Sequence, residues 1–148
     1  MNDKYIVYFI SKIKKKMVFF IEKELAENNM GGLKASHGNI LTSLYENGGT
    51  LKMSQMAKII GKDKSTVTSL INKLESLGYI EKTSDSSDKR VTMVVLTNKG
   101  RDVENTFNNI SKMVRETAYN GFSDEEKEQL LTLLKKLNMN FSNALPKD

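Results

Sequence analysis

Between residues 64 and 73 the chain sets Lys64, Ser65, Thr66, Thr68, Ser69, Asn72 and Lys73 around the apolar Val67, Leu70 and Ile71. Hydroxyls, an amide and ammonium groups at these spacings can meet base edges and phosphate oxygens. No acid interrupts the stretch, so a polyanion would not be repelled along it. A second group, Asp88-Lys89-Arg90, closes a polar, turn-rich run that begins at Ser84. There Lys89 and Arg90 could reach a minor groove, with Asp88 orienting Arg90 through a charge-assisted hydrogen bond. Lys82 adds a charge suited to phosphate, beside Lys64 and Lys73. The chemistry on offer is recognition of duplex DNA rather than bond making. No nucleophile–base pair, glycine-rich phosphate loop or metal-ligand constellation is evident, so the sequence does not read as an enzyme and implies no cofactor.

Helices must carry the first group. Met53, Met56, Ala57 and Ile60 recur at helical spacing, Gly61 breaks the run, and Val67, Leu70, Ile71, Leu74 and Leu77 resume it. Gly61 can take the left-handed conformation that ends one helix, and Asp63 is placed to cap the next. Two helices joined by so short a turn form a helix-turn-helix, whose second member can lie in a major groove. A plain helical hairpin with a solvated outer face would share this pattern. Gly78 closes the second helix, and Tyr79–Thr83 and Val91–Leu96 then alternate as strands. A hairpin in this place is a wing with its basic residues at the tip. An ordinary exposed hairpin would tolerate the same residues.

Charge supports the placement. The net +5 is uneven: residues 50–101 carry ten bases and five acids, and the two flanks nearly cancel. A basic centre between neutral flanks is the footprint of phosphate contact. There is no cysteine and one histidine, which excludes disulfides and thiol sensing and argues against a zinc site. No apolar run reaches the length of a membrane span, so a cytoplasmic protein is expected.

The flanks are helical. Ile6, Phe9, Ile10, Ile13, Met17, Phe20, Ile21 and Leu25 form one long stripe, with Lys12, Lys14, Lys15 and Lys16 along its edge. An anionic membrane surface could attract those lysines, but a solvated edge on a packing helix suits the acids that follow. A second helix is expected over Ala35–Glu46, and Thr50-Leu51-Lys52 as a short strand. One long helix capped by Thr97 is expected to carry Val103, Phe107, Ile110, Val114 and Ala118. A last helix, opened by the capping box Ser123–Glu126, carries Leu130, Leu131, Leu134, Leu137 and Phe141. These terminal stripes exceed what a small winged helix can cover, so they are expected to pack on each other and on a second copy. The organisation expected is a mainly α, α+β winged helix: residues 1–34 and 102–148 for dimerisation, around a DNA-binding domain at 35–101.

The chain resembles the multiple-antibiotic-resistance regulator (MarR) family of winged-helix repressors. The resemblance is carried by Ser36-His37-Gly38 through Leu44, Met56-Ala57-Lys58 with Gly61, Lys64-Ser65-Thr66-Val67-Thr68, and Leu74 with Leu77-Gly78-Tyr79-Ile80. Its most specific part is Asp88-Lys89-Arg90 followed by Leu96-Thr97-Asn98-Lys99-Gly100. What the resemblance implies is a homodimer on a pseudo-palindromic operator, released by a small phenolic or other lipophilic ligand. Met17, His37, Ile40 and Leu41 are the candidate ligand-lining residues, although each also suits an ordinary core. The family's thiol sensors need a cysteine and its zinc-responsive members more histidines, and this chain has neither. A winged helix that binds a protein partner instead of an operator remains the alternative.

Overall fold

The computed structural model describes residues 3–147. Its elements run α1 (Ile6–Glu27), α2 (Ala35–Glu46), β1 (Thr50–Lys52), α3 (Met53–Ile60), α4 (Lys64–Ser76), β2 (Ile80–Ser84), β3 (Thr92–Leu96), α5 (Asn98–Asp102), α6 (Glu104–Ala118) and α7 (Asp124–Ala144), with a 3-10 turn over Asp3–Tyr5. This is the expected α+β winged helix. The chain forms two compact units, one up to Val114 and one from Arg115. Among the described residues no helix is long and apolar enough to cross a membrane.

Local chemistry explains the boundaries. Gly61 ends α3 in the left-handed region at φ 68°, where a side chain would be strained. Asp63 then caps α4, its Oδ1 accepting from the Thr66 N–H at 2.7 Å. At the start of α3, Lys52 has no acceptor to offer as a cap, and Gln55 answers instead by accepting the Lys52 N–H at 3.0 Å. A 13-residue helix such as α4 is marginal alone. It is held by Val67, Ile71 and Leu74, all fully buried beside Ile40, Leu41 and Leu44 of α2 and Met56 of α3. Each such side chain contributes roughly 1.5–3 kcal/mol.

The sheet is antiparallel in the order β1-β3-β2. β2 and β3 pair from Ile80↔Leu96 to Ser84↔Thr92, with Ile80, Val94 and Leu96 facing the core. The loop between them is closed by Asp85 N–H donating to the Val91 carbonyl at 2.9 Å. β1 pairs on the far edge, Leu51 opposite Val94.

One expectation needs correction. The long helix predicted from Thr97 is broken at Val103 into α5 and α6. The Tyr45 hydroxyl donates to the Gly100 carbonyl at 2.6 Å, engaging an acceptor that an unbroken helix would use four residues on. Thr97 caps α5, as expected, by accepting from Gly100 N–H at 3.1 Å. In α6, Phe107 and Ile110 are buried and Ala118 is exposed. α7 begins with the reciprocal Ser123–Glu126 box and has no fully buried residue. Leu131, Leu134 and Phe141 stand exposed on it, as Ile6, Phe9, Ile10, Ile13 and Met17 do on α1.

Candidate nucleic-acid interface

The outer face of α4 is as open as its spacing predicted: Lys64, Ser65, Thr66, Thr68, Ser69, Asn72 and Lys73 are all exposed. Its first turn is pre-ordered by Asp63, which accepts from Thr66 N–H and, at 3.3 Å, from the Ser65 hydroxyl. These bonds hold the Asp63 carboxyl below its ordinary range. It therefore stays ionised, as the cap acceptor requires, at neutral pH.

The wing residues gather beside this helix. Asp88 accepts from Arg90 Nε at 3.2 Å, Nη2 at 3.3 Å and the Arg90 backbone N–H at 3.0 Å. The forked pairing fixes the guanidinium's direction, leaves the Arg90 side chain 92% exposed and lowers the Asp88 pKa. Lys89 is exposed next to it. A groove of about 320 Å³ runs between α3, α4 and the wing, with Lys64, Thr68 and Arg90 on its walls and Ala57, Val67 and Val91 among its apolar lining. Recognition helix and wing therefore contribute to one concave, cationic surface.

Two predicted contacts sit differently from a free cation on a surface. Lys82 Nζ donates to Asn72 Oδ1 at 2.7 Å and lies 3.4 Å from Glu75 Oε1, while Glu75 Oε2 accepts the Lys82 N–H at 3.1 Å. Lys82 thus bonds Asn72 directly and is itself held by Glu75, a residue that the outward polar pattern did not single out. Burial, then the charge of Lys34 and then that of Lys73 on α4, disfavours protonation of His37.

The joint behind the wing also becomes clear. Thr97 Oγ1 donates to the Gly78 carbonyl at 2.5 Å, and Lys99 Nζ donates to the Leu77 carbonyl at 2.6 Å while lying 4.5 Å from the Tyr79 ring centre. The two stretches Leu77–Ile80 and Leu96–Gly100 thus form one corner. That corner sets the angle at which the hairpin leaves α4.

Against this geometry, the MarR family model matches residues 33–92. The HTH-type transcriptional regulator YybA of Bacillus subtilis is 33% identical over 100 residues, which span 68% of this chain and 66% of that protein. The chain belongs to the MarR family. It is a DNA-binding transcriptional regulator of the MarR type, built as a winged helix-turn-helix. Solved MarR-like folds agree over nearly all of the chain. BpsR of Bordetella bronchiseptica, whose DNA binding is regulated by 6-hydroxynicotinic acid, covers 90% of this chain and 98% of its own at TM-score 0.77 and 19% identity. A mutant MarR of E. coli complexed with operator DNA covers 93% and 97% at TM-score 0.79 and 20% identity. At those identities the likeness is one of fold.

The MarR resemblance also implies a ligand site, for which Met17, His37, Ile40 and Leu41 are the candidates. Ile40 and Leu41 are fully buried core, and Met17 is exposed on α1. His37 is buried at the start of α2, its Nδ1 accepting the Lys34 N–H at 2.8 Å. Burial, then the charges of Lys34 and Lys73, pushes its pKa down. None of the four lines the open cleft of about 170 Å³ formed by Ile21, Leu25, Gly38, Thr42, Phe107 and Ile110 with their neighbours. Ile40 and Leu41 pack with Leu44, Val67 and Ile71 in the core. Helical spacing alone does not separate a residue on the cleft side of α2 from one on its core side.

Proposed function

We propose that the protein binds a pseudo-palindromic duplex operator as a homodimer in the cytoplasm and represses transcription from it. The observation that carries this reading is the single concave surface formed by Lys64, Thr68 and Arg90 beside an acid-poor helix face. Two such helices in successive major grooves, roughly 10 bp apart, would place Ser65, Thr66, Thr68, Ser69 and Asn72 over bases. Lys64 and Lys73 would meet phosphate, and Arg90 with Lys89 the neighbouring minor groove. The exposed apolar stripes of α1 and α7 support pairing with a second copy.

Release by a small lipophilic or phenolic ligand is supported by the open cleft beside Phe107 and Ile110. The regulation of BpsR by a hydroxylated aromatic acid supports control of this kind. A ligand that favours a dimer with misplaced recognition helices lowers DNA affinity by no more than its differential affinity for the two states.

Selection of bound fragments from random duplex DNA, followed by affinity measurements at fixed salt, tests the proposal. The expected result is one enriched inverted repeat, with Arg90→Ala weakening it by about 1–3 kcal/mol. A protein that sediments as a monomer and enriches no sequence would overturn the reading. So would partner binding with no salt dependence, the behaviour expected of a protein-interaction module.

A further inference from the structure

Asn72 is the one amide on the outer face of α4, and its orientation is determined by its neighbour. Lysine ammonium only donates hydrogen bonds, so the Asn72 atom 2.7 Å from Lys82 Nζ must be the carbonyl oxygen, Oδ1. Lys82 is in turn held by Glu75, at its Nζ by one carboxylate oxygen and at its backbone N–H by the other. The ion pair is partly shielded, with 32% and 39% of its two side chains exposed. Glu75 lies one turn beyond Asn72 on α4, and Lys82 crosses from β2, so both elements of the motif share this cluster.

A free asparagine reads adenine in the major groove bidentately, accepting from N6 and donating to N7. That pairing needs Oδ1. Lys82 takes one of the two lone pairs of Oδ1 and sets an ammonium charge beside it, so an adenine N6–H would have to share that oxygen next to a cation, whereas the two donors of the NH₂ suit guanine, whose N7 and O6 both accept. Adenine would bring its own N6 donor towards a donor. We propose that Lys82, anchored by Glu75, is a positioning residue that orients Asn72 to read chiefly as a donor and so favours guanine over adenine at the base pair beneath it. The inference rests on the operator-binding reading above.

The test is base preference rather than total affinity, because loss of a lysine also weakens binding uniformly. The full-length protein and its Asn72→Ala, Lys82→Met and Lys82→Arg variants, each checked for native circular dichroism, are taken through the same random-duplex selection. The position whose preference disappears in Asn72→Ala is the one Asn72 reads. There the wild type should favour guanine, and Lys82→Met should move the adenine-to-guanine affinity ratio towards adenine by roughly 5–150-fold. Lys82→Arg, which also only donates, should keep the wild-type preference. An unchanged ratio in Lys82→Met, or adenine favoured by the wild type, overturns the inference and leaves operator binding standing. Base preferences untouched by Asn72→Ala do the same. A wild type that enriches no duplex removes the operator reading first, and this inference with it.

Discussion

Substituting Gly100 by alanine opposes two effects whose balance depends on the corner behind the wing. Gly100 lies inside α5 at an ordinary helical φ, where alanine is favoured over glycine by about 1 kcal/mol. On helix propensity alone the variant should be more stable. Packing argues the reverse. An added Cβ would drive into the Tyr79 carbonyl oxygen and stand 3.0 Å from Leu96 Cδ2 and 3.2 Å from the Tyr79 carbonyl carbon. The oxygen cannot retreat cheaply, since it accepts the Thr97 N–H at 3.1 Å. Nor can Gly100 retreat, because its N–H is bonded to Thr97 and its carbonyl to Tyr45.

Overpacking against a fixed backbone costs about 3 kcal/mol, the upper end for inserted methyl groups. After the propensity term the net loss is about 2 kcal/mol, or roughly 4–8 °C in Tm for a chain of this size. Urea unfolding followed by circular dichroism at fixed pH measures it, read as a lower midpoint at unchanged slope. A Gly100→Ala protein as stable as the wild type would refute the reasoning, because propensity would then have outweighed the corner. Gly38→Ala is the internal comparison. Its Cβ would meet the Phe107 ring edge at 3.2 Å, a side chain rather than a backbone atom, and the loss should be smaller.

Three further outcomes follow from named groups. His37 is the only histidine, and its pKa is pushed below 6.5 first by burial and then by Lys34 and Lys73. Its neutral form is the one that accepts the Lys34 N–H, so the folded state binds fewer protons than the unfolded chain below that value. Stability should be full above pH 6.5 and fall as pH drops towards the folded pKa; denaturation from pH 5 to 8 measures the slope, and His37→Gln should flatten it while keeping the cap. Asp63→Ala should lower the unfolding midpoint and operator affinity together, because the first turn of α4 loses the Thr66 acceptor; an Asp63→Asn protein that behaved like Asp63→Ala would show that the hydrogen bond is not the cause. Lys64→Ala should reduce the slope of log affinity against log salt by about 2 for a dimer, one phosphate contact per half-site, in filter-binding titrations; an unchanged slope would take Lys64 off the phosphate backbone.

The architecture could be read from the chain because its signals are local. Gly61 and Asp63 mark the turn and cap by their own chemistry, and the strand alternation after Gly78 needs no distant contact to be seen. The break at Val103 could not be seen, because it depends on the hydroxyl of Tyr45 engaging the carbonyl of Gly100, 55 residues further along the chain. The same limit applies to the interface. Exposure of the α4 face follows from helical period, and the Asp88–Arg90 pair spans two residues, so both were accessible from spacing. Glu75 was not, since its partner Lys82 lies across a turn on another element. The cleft residues Ile21 and Phe107 come from helices far apart in sequence, and no periodicity brings them together.

If the protein binds DNA as proposed, the two acid–base pairs at the candidate interface have a shared physical consequence. A carboxylate close to bound DNA opposes phosphate, yet Asp88 and Glu75 each lie within 3.4 Å of a cation presented on the same surface. Each pair reduces the net charge available for sequence-independent attraction, which comes from displaced counterions. In exchange, Arg90 and the Lys82–Asn72 unit are held in fixed directions before DNA arrives, so less side-chain entropy is lost on binding. Unpaired lysines such as Lys64 strengthen all duplexes alike, whereas an oriented guanidinium or amide favours only the duplex that presents the matching groove. An interface that divides its cations in this way trades non-specific affinity for discrimination between sequences.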